Sequence, residues 1–149
     1  MGVLQEVSGH IYDIRYDFYF TEERLIGVLI QHPGEVVNYK ASTVWQTLLL
    51  GNSFSKHRVQ TEFNRLAEER RSKNKNMTPS QLAASHQSNY EISYDLVASI
   101  EIKSGLLETR LKITPTDPAR KAVSFGLSKK QAAELRPLLE KVLPSKLKG

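Results

Sequence analysis

The chain has 149 residues, 40% hydrophobic and 25% charged, which suits one domain whose core buries roughly two thirds of the unfolded surface. It has no cysteine, so disulfides, thiolate nucleophiles and thiolate metal ligands are excluded, and a reducing, cytoplasmic setting is expected. The net charge of +5 is uneven: residues 53–76 carry +4 and 119–149 carry +6, against −3 for 1–52 and −2 for 77–118. No leader or membrane span is expected, because Met1 to Glu6 has no basic stretch before an apolar one and the run Val44 to Leu50 is far too short to cross a bilayer.

His10, Tyr12, Ile14, Tyr16, Phe18 and Phe20 share one parity, which predicts a strand with that face toward a core. Thr21-Glu22-Glu23 breaks the pattern as a turn. The dense apolar run Leu25 to Ile30 then predicts the returning strand of a hairpin, closed by Pro33-Gly34. The two glutamates sit at a solvated tip, where carboxylates keep ordinary acidity, so they are assigned to the turn and not to acid–base chemistry.

The middle of the chain is helical in pattern. Ser42 or Thr43 is placed to cap a short helix carrying Val44, Trp45, Leu48 and Leu49 on one side, and Gly51-Asn52 suits its end. Ser53 or Ser55 is placed to cap a longer helix with Val59, Phe63, Leu66 and Ala67 at helical spacing. That helix is expected to finish in the basic run Arg70-Arg71-Ser72-Lys73-Asn74-Lys75-Asn76, where cations oppose the helix dipole before the chain frays. Thr78-Pro79-Ser80-Gln81 has the residues of a capping box with proline at the first helical position.

Strand character returns at Asn89. Tyr90, Ile92 and Tyr94 are expected on one face, as are Ala98, Ile100 and Ile102, with Glu101 and Lys103 on the other. A turn at Ser104-Gly105 leads to Leu107, Thr109, Leu111 and Ile113 as the inner face of the next strand, so that Glu101 comes opposite Arg110 or Lys112. Thr114 to Pro118 is a proline-pinned loop, and Val123, Phe125 and Leu127 form a last strand. Ser128 and Gln131 open a C-terminal helix, 128–143, with Ala132, Leu135, Leu139 and Val142 as its stripe, a bend expected at Pro137, and a stop at Pro144.

Two segments carry a resemblance to a known family. Phe18-Tyr19-Phe20-Thr21-Glu22-Glu23-Arg24-Leu25-Ile26-Gly27-Val28 resembles the "aromatic, Thr, acidic or polar pair, Arg, Leu, Ile" hairpin of GRAM-type and bacterial pleckstrin-homology-like domains. Asn89 to Glu101 is similar to their "Asn, aromatic, X, Ile, Pro or Ser, Tyr" segment, and Phe125-X-Leu127 running into the final helix is similar to their ending. The resemblance covers residues 10–31 and 88–143 and implies an α+β fold, a curled antiparallel barrel of about seven strands with a C-terminal capping helix. Residues 34–87 would be a mostly helical insertion between the third and fourth strands. It implies a binding or assembly role with no reaction. Where eukaryotic relatives carry a basic phosphoinositide loop, Tyr12 to Asp17 holds two acids and one base, which argues against that ligand.

No catalytic constellation is legible. The four histidines, His10, His32, His57 and His86, lack paired metal spacing, no glycine-rich phosphate loop is present, and no serine sits in a nucleophile elbow. No cofactor, metal or small-molecule substrate is therefore inferred. Two surfaces remain. Val44, Trp45, Leu48 and Leu49 form an apolar face that packs on the domain or meets another chain, which makes a protein partner or a second copy, and so a homo-oligomer, the leading expectation. Arg70, Arg71, Lys73 and Lys75, with Arg120, Lys121, Lys129 and Lys130, form basic segments suited to a polyanion, either an anionic membrane surface or nucleic acid. The lack of an aromatic between Phe63 and Tyr90 weakens base stacking there.

Overall fold

The computed structural model describes residues 1–9, 14–32 and 53–149, with side chains of the last segment described from Gln60 onward. Strands β1 (Gly2–Ser8), β2 (Arg15–Phe20) and β3 (Arg24–Gln31) come first. Helices α1 (Ser53–Asn74) and α2 (Pro79–Ala84) follow. The chain then forms β4 (Tyr90–Ser93), a 3-10 turn (Tyr94–Leu96), β5 (Val97–Ser104), β6 (Thr109–Pro115) and β7 (Val123–Leu127). It ends with α3 (Lys129–Val142) and the two-residue β8 (Leu147–Lys148). The fold is α+β, with α1 and α2 falling between the third and fourth strands.

All the strands join one sheet in the order β4-β3-β2-β1-β7-β6-β5-β8. Among the described residues every pairing is antiparallel except β5 with β8, so the sheet is mixed, and it has eight strands where about seven were expected. The sheet is open, with β4 and β8 as its edges, yet it curls. The rings of Tyr90 on β4 and Phe125 on β7, four places apart in the strand order, stack at 6.1 Å and 8°. Phe18 on β2 meets Phe125 edge-on at 4.8 Å.

The curl encloses the main core. Leu4 and Val7 of β1, Phe18 and Phe20 of β2, Leu25 of β3, Ile100, Leu111, Ile113, Phe125 and Leu127 of the other half, and Leu135, Leu139 and Leu143 around α3 form one buried cluster. Ser128 opens α3 with the capping box expected of it, bonding reciprocally with Gln131, whose amide also donates to the Gln5 carbonyl of β1 at 2.6 Å. The helix runs without interruption through Pro137 to Val142.

A second, smaller core explains the dense run of β3. Leu25 faces the main core, while Ile26 and Val28 face the other way, where Leu82 of α2, with Tyr19, Met77 and Ala83, covers them. A strand buried on both faces reads as a continuous apolar run and not as an alternation. Thr78 caps α2 with Gln81 as its box partner, as expected, and Asn89 ties α2 to the sheet. The Asn89 side chain accepts from the Leu29 amide at 2.8 Å and donates to the Leu82 carbonyl at 2.9 Å.

Two expectations are corrected. Leu107 lies outside β6 and is fully exposed, because the β5–β6 ladder stops at Ser104 opposite Thr109. Ala98 is exposed and Ser99 buried, because a register shift between Val97 and Ser99 turns the parity over before Ile100. The helix α1 ends at Asn74, inside the basic run expected to finish it, with Arg71 and Lys73 in its last turn.

Candidate binding surfaces

The apolar face Val44, Trp45, Leu48 and Leu49 lies outside the described residues. Of the first basic cluster, three members are engaged within the chain. Arg71 holds Asp17 bidentately, Nε to Oδ2 at 2.7 Å and Nη2 to Oδ1 at 3.0 Å, and also pairs with Glu68 at 2.7 Å and Glu6 at 3.5 Å. Arg70 donates to the Ile30 carbonyl at 3.1 Å, and Lys73 pairs with Glu69 at 3.0 Å. Lys75 is exposed.

Asp17 is 1% exposed, and its position follows from the backbone around it. It lies on the face of β2 opposite Phe18, the face toward α1. Between Leu4 and Val7 the register of β1 shifts against β2, and Glu6 takes a left-handed φ of 58°. That bulge turns the Glu6 amide to donate to Asp17 Oδ1 at 3.0 Å. The hydrogen bonds that Arg71 donates to Asp17 raise its guanidinium pKa beyond the already high ordinary value, against the opposing effect of burial. Asp17 thus joins β1, β2 and α1, a role the sequence pattern did not show.

The second basic segment is divided between two places. Lys130 lines a shallow depression with Glu6, Arg15 and Gln131, and pairs with Glu134 at 3.8 Å; Lys129 is exposed nearby at the start of α3. Arg120 and Lys121 instead stand in the β6–β7 loop, at the rim of a cleft of about 310 Å³. Its apolar wall is Ile92 of β4, Leu96, Val97, Ile113 and Val123. Leu96 is 55% exposed there. The rim acids are already engaged: Glu91 pairs with Arg24 at 2.7 Å, and Asp117 lies 3.9 Å from Arg120.

This cleft adjoins the open edge of the sheet. Among the described residues β4 pairs only with β3, through Arg24↔Ser93 to Gly27↔Tyr90. The Tyr94 amide donates to the Glu23 carbonyl at 2.9 Å, toward β3, so by the alternation of an antiparallel ladder the amides of Glu91 and Ser93 face the free side. Among the described residues no strand pairs with that side.

A third surface is the β5–β6 turn, Gly105-Leu106-Leu107-Glu108, closed by the Gly105 amide donating to the Glu108 carbonyl at 2.9 Å. Among the described residues no group of acids and histidines is gathered as a metal site would require, and no helix is long and apolar enough to cross a membrane. Comparison with family models, curated proteins and solved structures found no match to this chain.

Proposed function

We propose that the chain is a non-enzymatic association module of pleckstrin-homology-like type, and that it self-associates by antiparallel pairing of β4 with β4 of a second copy. The observation that carries this reading is the outer β4 edge, with which no described strand pairs, with the Glu91 and Ser93 amides directed outward beside an apolar cleft. An unpaired strand edge is a template for strand addition. A two-fold axis through β4 makes the contact self-complementary and closed, which is how most homodimers are built. Beside this edge each copy presents the cleft's apolar wall, Ile92 included, with the cations Arg120 and Lys121 at its rim. The family-level support is the strand order, the curl of the sheet and the packing of α3 across β1, β6 and β7.

The polyanion reading has less support at 53–76, where Arg70, Arg71 and Lys73 already have partners in the chain. The test is light scattering after size exclusion over a range of concentrations, on the native chain and on Ser93→Pro. Ser93 has φ −66° and ψ 136°, which proline adopts without strain, and its amide faces away from β3. The substitution therefore removes an outward donor and leaves the β3–β4 ladder whole. The native chain is expected to dimerise and Ser93→Pro to stay monomeric with an unchanged melt. A native chain that remains monomeric at high concentration overturns the reading.

A further inference from the structure

Leu106 and Leu107 are exposed at 106% and 99%, the extreme among the large hydrophobic residues described. They occupy the two central positions of the turn that the Gly105 amide closes on the Glu108 carbonyl. Neither leucine is needed to make the turn. Directly behind them, Lys103 and Arg110 stand opposite each other in the ladder, a like-charge pair that disfavours the hairpin, and Lys112 follows on β6. Glu108 and Glu101 partly offset these cations, with Glu108 paired to Arg110 and Glu101 3.8 Å from Lys103. The hairpin thus carries an apolar point above a net basic collar, and the two leucines bury nothing within the isolated fold.

We propose that the Leu106–Leu107 tip inserts into an anionic lipid surface, with Lys103, Arg110 and Lys112 at the headgroup level. Charge selects this occupant. A bilayer interface takes up leucine side chains without a shaped pocket, and its anionic headgroups attract cations placed just behind them. A hairpin holds the point rigidly, so little ordering is lost on contact. β5 leads from the 3-10 turn beside the β4 cleft to this tip, and eight strand residues span about 25 Å. The tip is therefore separate from the β4 edge, and each surface is tested by its own variants.

The experiment uses the full chain in cosedimentation with vesicles of phosphatidylcholine alone and of phosphatidylcholine mixed with phosphatidylserine. Binding is expected to the mixed vesicles, weakening as salt is raised. The double variant Leu106→Ser with Leu107→Ser is expected to lose about tenfold or more in partitioning while keeping the native melt, because burial of both side chains drives insertion. Since the chain has no cysteine, Leu106→Cys carrying an environment-sensitive fluorophore gives a direct readout, a blue shift with mixed vesicles. Three results overturn the proposal. These are no binding to mixed vesicles at low salt, equal binding by the double serine variant, or loss of self-association in that variant without lipid, which would make the tip a protein contact.

Discussion

Asp17 shows how one buried charge is made tolerable. A carboxylate almost wholly removed from water has to be paired and hydrogen-bonded, and Asp17 receives the Glu6 amide and both arms of the Arg71 fork. Removing one partner strands the other. Asp17→Ala and Arg71→Ala are each expected to lower the unfolding free energy by about 3–5 kcal/mol, read from urea melts, with Asp17→Leu and Arg71→Met together costing less than the sum. Tyr94 has the opposite character, since its hydroxyl is buried with no protein partner among the described residues. Tyr94→Phe is expected to be neutral or stabilising by about 1 kcal/mol. Burial also pushes the Tyr94 phenol up to about 12, above its ordinary value of about 10. The neutral form is the one the fold favours, so its contribution is complete below pH 10 and is lost as pH rises from 10 through 12. Thermal melts across that range should show a smaller decline in Tyr94→Phe than in the native chain. Parity placed Phe18 and Phe20 in the core correctly. The same parity put Asp17 on the outer face, and only the packing of α1 over that face makes it buried.

At the scale of elements, the chain was legible where a local rule acts alone. The two capping boxes, Thr78 with Gln81 and Ser128 with Gln131, formed as their spacing implies. The hairpin across Gly105 formed too, and of the two cations expected near Glu101, Arg110 or Lys112, it places Lys112 opposite. β1 was not legible, because its buried residues Leu4 and Val7 are three apart; the bulge at Glu6 breaks the two-residue period on which strand recognition depends. β8 is too short to leave a pattern, and it is held by the Lys146 side chain, which bonds the Tyr94 and Val97 carbonyls. Close approach between β3 and β4 gives a sharp test. A Cβ on Gly27 would lie 2.4 Å from the Tyr90 ring, which is itself stacked on Phe125. Gly27→Val is expected to displace that ring and cost about 1–3 kcal/mol in a denaturant melt, with Tyr90→Ala in the same chain recovering part of the clash while adding a cavity.

For the whole molecule, the sheet curls so that its two halves share one core with α3, while α2 covers the outer face of β3 and the Asp17–Arg71 pair anchors α1 to the sheet. The α+β class and the helical stretches between the third and fourth strands could be read from periodicity. The open edge could not, since which strand ends a sheet depends on pairings made far apart in sequence. Nor could the exposed leucine tip, because Leu107 fits the parity of Leu111 and Ile113 and only the point where the ladder ends sets it apart. The basic run 70–75 looked like a polyanion surface in sequence, yet much of its charge is directed at Asp17, Glu68, Glu69 and the Ile30 carbonyl. Association through β4 is most directly measured by hydrogen exchange at the Glu91 and Ser93 amides as concentration is raised. The account predicts that both slow markedly in the associated chain and that amides at the β5–β6 tip do not. Association with no change in exchange at Glu91 and Ser93 would contradict it.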